Sequence, residues 1–411
     1  MIKKIALPIL IALTISSSAL AEPDHYKNIL VGDRAATMGG TYIGVSDDVT
    51  GAYYNPGGIA FADEDTGISA SANVYHVQHA TYKNAIRSED WYRHSAVLLP
   101  TFFGLMKRWG DHTVAFSIIT PDSFIQHQDQ VYNNLAATTT QPAIDRFLFN
   151  LHSEDSSYLI GPSYAYRISD NLAIGTTLSY FYRKSRMQDI QSIWLAGGQT
   201  EESTIVTDWG ENGIAPKLGV KWAPIKELSF GLTLFHVFIV SSNFTGQATS
   251  KTRDQNTSTF NQVNIKQKRN TSTQISLGAA YQASDTWLFA ADVDFNTRPP
   301  ADIFYPAGYQ GVVNYSLGIE HKFNKRHVGR VGFFTNQSNM EEPSNESSLI
   351  TELNLYGVAM GYSFNMEKTS ITAGIVYSGG SGKAQIYEDI PTAVNVNRYT
   401  FTGILATSFK F

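Results

Sequence analysis

The side chains with chemistry to offer in this chain are apolar rings and isolated cations. The stretch 121–154 carries Phe124, Ile125, Ile144, Phe147, Leu148, Phe149 and Leu151, and 187–211 adds Ile193, Trp194 and Leu195. Ile144, Phe147, Leu148 and Leu151 have the spacing of one helical face. So many apolar groups in one connecting stretch predict a greasy capture site for a hydrophobic molecule. An amphipathic helix that caps its own loop is the other reading. Such a carrier needs an apolar groove and, for an acidic ligand, a cation. Arg183, opposite Tyr180 and Tyr182, is one candidate; Lys217 and Lys221, opposite Leu218, Val220 and Trp222, are two more. Lys322 shares a face with Glu320. Inward cations of this kind commonly pair with acids across a lumen.

Catalytic chemistry finds no support. Cysteine is absent, which removes disulfides, CxxC sites, thiol catalysis and a lipoprotein anchor. His76 and His79 resemble a metal pair, but three residues apart on a strand puts them on opposite faces. The ten histidines are scattered, so neither a metal nor another cofactor is expected. Gly379–Lys383 echoes a phosphate loop, yet Tyr377 stands where its first Gly belongs and Ala384 replaces the hydroxyl. It reads as a flexible linker in a loop. No Gly-x-Ser-x-Gly elbow occurs. A lipid hydrolase would need Ser, His and an acid brought together, and no motif indicates them. The expectation is a protein that is not an enzyme.

The elements that must position these groups are strands. The 411 residues hold 16% charged residues, against about 25% in soluble domains, with 32 Gly, 22 Tyr and 23 Phe. A net charge of −5 spread along the chain argues against a nucleic-acid partner. Lys3 and Lys4, the apolar run Ile5–Ile15 and Ala19-Leu20-Ala21 form an export signal, with cleavage expected after Ala21. No apolar run of about 18 residues follows, so no membrane helix is expected.

From residue 67 the sequence repeats ten-residue stretches of period-two alternation. Tyr399, Phe401, Leu405, Phe409 and Phe411 oppose Arg398, Thr400, Thr402, Ser408 and Lys410. Fourteen such segments fall near 67–82, 92–107, 111–120, 155–167, 171–186, 212–223, 227–240, 272–282, 285–297, 312–323, 328–336, 352–364, 369–378 and 398–410. Short connections alternate with long ones at 83–91, 121–154, 187–211, 241–271, 298–311, 337–351 and 379–397. The polar stretch Gln247–Asn261 reads as a solvent-exposed loop. An even strand count with alternating turns and loops predicts an all-β, 14-stranded antiparallel transmembrane β-barrel of a Gram-negative outer membrane. A soluble β-sandwich or solenoid is the rival. Phe409-Lys410-Phe411 suits the barrel-assembly machinery, and the lipid partner is outer-membrane lipid or lipopolysaccharide.

Residues 22–66 lack the alternation. They are rich in Gly and small residues, with turn formers at Asp47-Asp48 and Asn55-Pro56-Gly57. They are too apolar for a disordered tail. A segment of this kind before the first strand predicts a plug folded into a lumen that fourteen strands would leave open. Its charges Asp33, Arg34, Asp47 and Asp48 need partners, so salt bridges to the wall are expected.

Gly32-Asp33-Arg34-Ala35-Ala36-Thr37-Met38-Gly39-Gly40, Asp47-Asp48 and Tyr53-Tyr54-Asn55-Pro56-Gly57-Gly58 resemble the N-terminal hatch of the FadL family of outer-membrane long-chain fatty-acid transporters. Gly57 departs from that pattern, which has Ala there. Together with the export signal and the alternating strands, the resemblance divides the chain into residues 1–21 as signal peptide, 22–66 as hatch and 67–411 as barrel. It also implies a monomer that passes hydrophobic molecules without its own energy source. Ligand would be caught between outer loops, move to an inner pocket, shift the hatch, and leave through the lumen or through a lateral opening at a kink in the third strand. That kink falls near Thr120-Pro121-Asp122-Ser123. Pro121 cannot donate a ladder hydrogen bond; it could equally end the strand. Fatty acids, aromatic hydrocarbons, and a surface adhesin without transport remain as functional readings.

Overall fold

The computed structural model describes residues 25–62, 65–138, 142–252, 257–302, 309–341, 351–385 and 393–411. The expected signal peptide and its cleavage site lie outside these residues. In chain order the strands are β1 Thr66–Ile86, β2 Glu89–Trp109, β3 His112–Leu135, β4 Ile144–Ser169, β5 Leu172–Leu195, β6 Thr200–Ile225, β7 Leu228–His236, β8 Phe238–Thr252, β9 Thr257–Ile265, β10 Thr273–Gln282, β11 Trp287–Asn296, β12 Val312–Lys322, β13 His327–Asn336, β14 Thr351–Leu353, β15 Leu355–Asn365, β16 Thr369–Ala384 and β17 Val394–Lys410.

These strands form fourteen spans. β7 and β8 both pair with β6 and are halves of one span interrupted at Val237. β10 and β9 pair with those two halves in turn. β14 and β15 both pair with β16. Every pairing is antiparallel, and β17 closes on β1 from Gly67↔Lys410 to Tyr82↔Val396. The result is the closed barrel that the alternation predicts. Closure joins the first strand to the last, so neither presents a free edge to lipid.

The side-chain alternation divides the wall into two faces. Leu218, Trp222, Phe230, Leu232, Leu234, Phe289, Leu317, Phe401 and Leu405 are exposed on the outside. Their neighbours Lys217, Lys221, Thr233, Asp292, Ser316, Thr402 and Ala406 are buried inside. An exposed apolar surface that girdles the whole barrel requires a lipid solvent.

The connections at the loop end are shorter than the sequence suggests. β3 and β4 run through most of 121–154, and β5 and β6 leave only 196–199 between them. β1 and β2 take up most of 83–91 and leave a two-residue turn at Arg87 and Ser88, both at positive φ. Gln247–Asn261 belongs largely to β8 and β9, and Gly379–Lys383 lies within β16. The helical face assigned to Ile144, Phe147, Leu148 and Leu151 is corrected as well. These residues are on β4, where Phe147, Phe149 and Leu151 point inward and Leu148 points outward. The physical reason is common to all these cases. Above the lipid band the outer face meets water and carries His127, Asp129 and Glu154, so a strand continues without its apolar alternation.

Among the described residues helix is confined to 25–62: α1 Arg34–Thr37, α2 Gly51–Tyr54 and a 3₁₀ turn Pro56–Phe61. This segment touches the inner faces of strands around the whole wall. Val49 meets β2 at Gly104, Gly57 meets β6 at Gly219, Met38 meets β13 at Gly332, and Thr37 meets β15 and β16 at Gly361 and Gly374. Val31, Met38, Tyr42, Val45, Ala52 and Ile59 are the centre of the largest buried apolar cluster.

Candidate functional site

Short polar hooks fix the interior segment to the wall. The Asn55 side chain closes a turn by accepting from Gly57 N at 3.1 Å. Its amide donates to Ile43 O at 3.0 Å and to Val220 O of β6 at 2.9 Å. Pro56 starts the 3₁₀ turn, where its missing N–H is not required. A Cβ on Gly57 would lie 2.8 Å from Gly219 O and 3.2 Å from Ala173 O, so any side chain at this position would force the backbone of the segment or the wall to shift. That accounts for the departure from the hatch pattern at Gly57. Asp292 of β11 accepts from Tyr42 N at 2.6 Å and Ile43 N at 2.9 Å.

The charges of the segment form a half-buried network. Arg34 binds Glu320 of β12 at 2.7 Å and Asp47 at 2.7 Å, and Arg330 joins Glu320 at 2.6 Å. Asp33 accepts from Arg34 N at 2.7 Å and caps α1. Burial would raise the Asp47 carboxyl, but Arg34 and Lys221 hold it below its ordinary value. Asp48 behaves in the opposite way. Burial and the charges of Asp33 and Asp47 push it up to about 7, against the Tyr42 hydroxyl that donates to it at 2.7 Å.

A cavity of about 250 Å³ lies between this segment and the wall. Ile43, Tyr53, Leu159, Phe181, Phe235 and Val237 line its apolar part, and Lys217, Arg183 and Arg269 line its polar part. The three cations proposed from sequence differ in what they face. Arg183 is committed to Asp155 at 2.5 Å and Glu211 at 3.0 Å, and Arg269 shares Glu211 at 2.8 Å. Lys221 donates to Val45 O and lies over the Phe61 ring, which ties it to the segment. Lys217 donates to Tyr53 O and sits 4.7 Å from both the Tyr53 and Phe235 rings. Among the described residues no carboxylate lies within ion-pair distance of Lys217, and it lines the cavity.

Above the cavity the inner face turns apolar. Tyr82, Trp91, Phe147, Phe149, Leu151, Ile144 and Met187 form a second cluster at the loop end. Phe124 is buried on the same side, 5.3 Å from the Arg93 guanidinium. Trp194 is not part of this cup: it stands on the outer face under Arg146, 5.6 Å away, as Leu148 does. Sequence reasoning missed Arg93. It lies 5.7 Å from the Trp91 ring and donates to Gln126 and Tyr82, while its buried Nη2 has no hydrogen-bond partner among the described residues. The signal was Trp91 and Arg93 on one face of a strand; the rings around Lys217 come from other elements instead.

The wall itself has a defect beside the cavity. β2 and β3 pair from Phe102↔Ile119 toward the turn and again at Ser95↔Gln126, with no pair between. That register sets Pro100 against Pro121, two residues that cannot donate to a ladder. On its other side β3 bulges between Ile119 and Asp122 against β4. β3 does not end at Pro121; it continues to Leu135. Pro121 and Asp122 line the cavity from inside, and Asn28 donates to Asp122 at 3.3 Å. Outside, Leu98 is 69% exposed, Val74 43% and Ile118 40%, so the defect opens within the lipid-facing band.

No family model and no curated protein matches the sequence. Solved structures do match in fold. A FadL homologue of Pseudomonas aeruginosa aligns with a TM-score of 0.66 at 11% identity, over 94% of this chain and 100% of that one. The P. putida toluene transporter TodX gives 0.63 at 12% identity, over 94% and 99%. The Ralstonia pickettii toluene transporter TbuX gives 0.62 at 14% identity, over 93% and 99%. The chain has the fold of these FadL-type barrels.

Proposed function

We propose that the protein is an outer-membrane route for passive transport of hydrophobic small molecules that carry one anionic headgroup, of the fatty-acid kind. The molecule enters the apolar cup at the loop end and passes Arg93. Its headgroup then settles at Lys217 in the inner cavity. The cavity is smaller than most ligand pockets, which run from about 300 to 1,000 Å³. It takes a headgroup and the first part of a chain, and the rest lies toward the Pro100–Pro121 defect, the sideways exit into lipid. The observation that carries this reading is the contact of cavity and defect at Pro121 and Asp122. Residues 22–66 act as the hatch and residues 67–411 as the barrel. The chain is exported with cleavage after Ala21, is assembled by the barrel-assembly machinery among lipopolysaccharide, works as a monomer and catalyses no reaction.

The neighbours named for toluene transport support a second reading, since Tyr53, Phe181 and Phe235 would also receive a neutral ring. The test is uptake of a labelled long-chain fatty acid and of labelled toluene by cells with an intact outer membrane, with and without the protein. Protein-dependent uptake of the acid is expected. Uptake of toluene alone moves the assignment to neutral hydrocarbons. Uptake of neither, with folded protein in the membrane, overturns transport and favours an adhesin.

A further inference from the structure

The histidines that look scattered in the sequence are gathered on the outer face by strand register. His79 of β1 pairs with His94 of β2, and His127 of β3 pairs with His152 of β4. Ser95↔Gln126 is the last β2–β3 pair, and one more step of that register sets His94 against His127. Four adjacent strands therefore carry a row of four imidazoles. His94 and His127 are exposed, and His79 and His152 are half-buried. The row stands at the upper edge of the lipid band. Below it are Val74, Tyr75 and Leu98; above it are Lys83, Asp90 and Asp129.

Within each pair the imidazoles face each other through nitrogen. Nδ1 of His79 and Nδ1 of His94 are 3.2 Å apart, and Nδ1 of His127 and Nδ1 of His152 are 2.8 Å apart. Other histidines rest on hydroxyls instead: His76 on Thr402, His112 on Tyr164 and His236 on Thr273. Two ligand nitrogens at about 2.1 Å from one ion, set at a right angle, are about 3.0 Å apart. Both pairs bracket that separation. Asp129 lies 3.9 Å from Nε2 of His152 and adds negative charge beside the second pair.

We infer that the two cross-strand pairs, His79–His94 and His127–His152, each bind a divalent transition-metal ion at the outer rim of the barrel. Neutral imidazole suits Zn²⁺, Cu²⁺ and Ni²⁺. Among the described residues no three His, Asp or Glu side chains converge on one point. Each ion therefore takes two imidazoles and completes its shell with water or an anionic oxygen. Such a site loads and releases readily, unlike a closed structural zinc centre with four protein ligands. The row is independent of the transport reading, because none of its side chains lines the cavity or the cup.

The test is titration of Cu²⁺ into the full-length detergent-solubilised protein, without a histidine tag, followed by equilibrium dialysis and by electron paramagnetic resonance. Wild type is expected to take up two ions per chain at pH 7.5, each with two nitrogen ligands in its spectrum. His94→Ala and His152→Ala each lose one ion, and the double variant loses both. All three keep the wild-type uptake of labelled fatty acid, which shows that they fold. Absence of saturable uptake by wild type overturns the inference, and so does retention of both ions by the double variant. Loss of both ions in either single variant overturns the assignment to separate pairs.

Discussion

Replacing Lys217 by Met separates charge recognition from apolar packing in the cavity. Lys217 Nζ lies between the Tyr53 and Phe235 rings and donates to Tyr53 O, with no carboxylate at ion-pair distance among the described residues. Met keeps the length and the apolar stem and removes the cation. A hydrogen bond to a charged group contributes about 1.5–3 kcal/mol net, equivalent to roughly 10- to 150-fold in affinity. Palmitate should bind the variant weaker by that factor. Palmityl alcohol has the same chain without the charge, and its affinity should change by less than about twofold, since no charged partner is lost. The assay is isothermal titration of both ligands into purified wild type and variant. The lost hydrogen bond to Tyr53 O lowers stability, so the thermal unfolding temperature is read in parallel. Equal weakening of acid and alcohol would refute the placement of the headgroup at Lys217.

Gly57→Ala puts a Cβ 2.8 Å from Gly219 O and should cost about 1–3 kcal/mol, as overpacking does, seen as a lower unfolding temperature of the purified barrel. Arg34→Met removes the cation that joins Glu320 to Asp47 while Arg330 stays on Glu320; a loss of about 3 kcal/mol is expected, the low end for a broken buried pair, with faster proteolysis of the segment 25–62. Asp48 has a folded-state pKa of about 7, raised by burial and by Asp33 and Asp47. The fold therefore favours its protonated form. Its stabilisation is complete below the ordinary carboxylate value of about 4 and is lost as the pH rises through about 7. The unfolding temperature should fall from pH 5 to pH 8, and Asp48→Asn should flatten that fall.

What the sequence discloses depends on which solvent a side chain meets. Lipid selects apolar groups on the outer face, so Leu228, Phe230, Leu232 and Leu234 announce their strand and its orientation. Above the band the selection stops. The upper parts of β3 and β4 then read as a loop, although Gln126, Gln128 and Ser153 are buried inside them. There the inner face becomes the apolar one, as Phe147, Phe149 and Leu151 show. An inverted alternation of that kind imitates a helical spacing when read without its partner strand.

The interior segment was legible in its small residues, because close backbone approach leaves a composition signal. The partners of its cations were not. Arg183, Lys217 and Lys221 look equivalent as inward cations, and only the fold commits one to Asp155 and Glu211, one to Val45 O, and leaves the third at the cavity. Arg93 and the histidine row share this limit. Their partners lie 11 to 33 residues away in sequence and are set by register.

The central claim is that cargo leaves through the wall between β2 and β3. The chain has no cysteine, so Pro100→Cys with Pro121→Cys introduces a single cross-link opposite the cavity. A disulfide there draws the two strands together and closes the defect. Uptake of labelled fatty acid by cells carrying the oxidised double variant should fall to the level of cells without the protein, and reduction should restore it. Full uptake with the cross-link formed would contradict the sideways exit and send the cargo through the lumen.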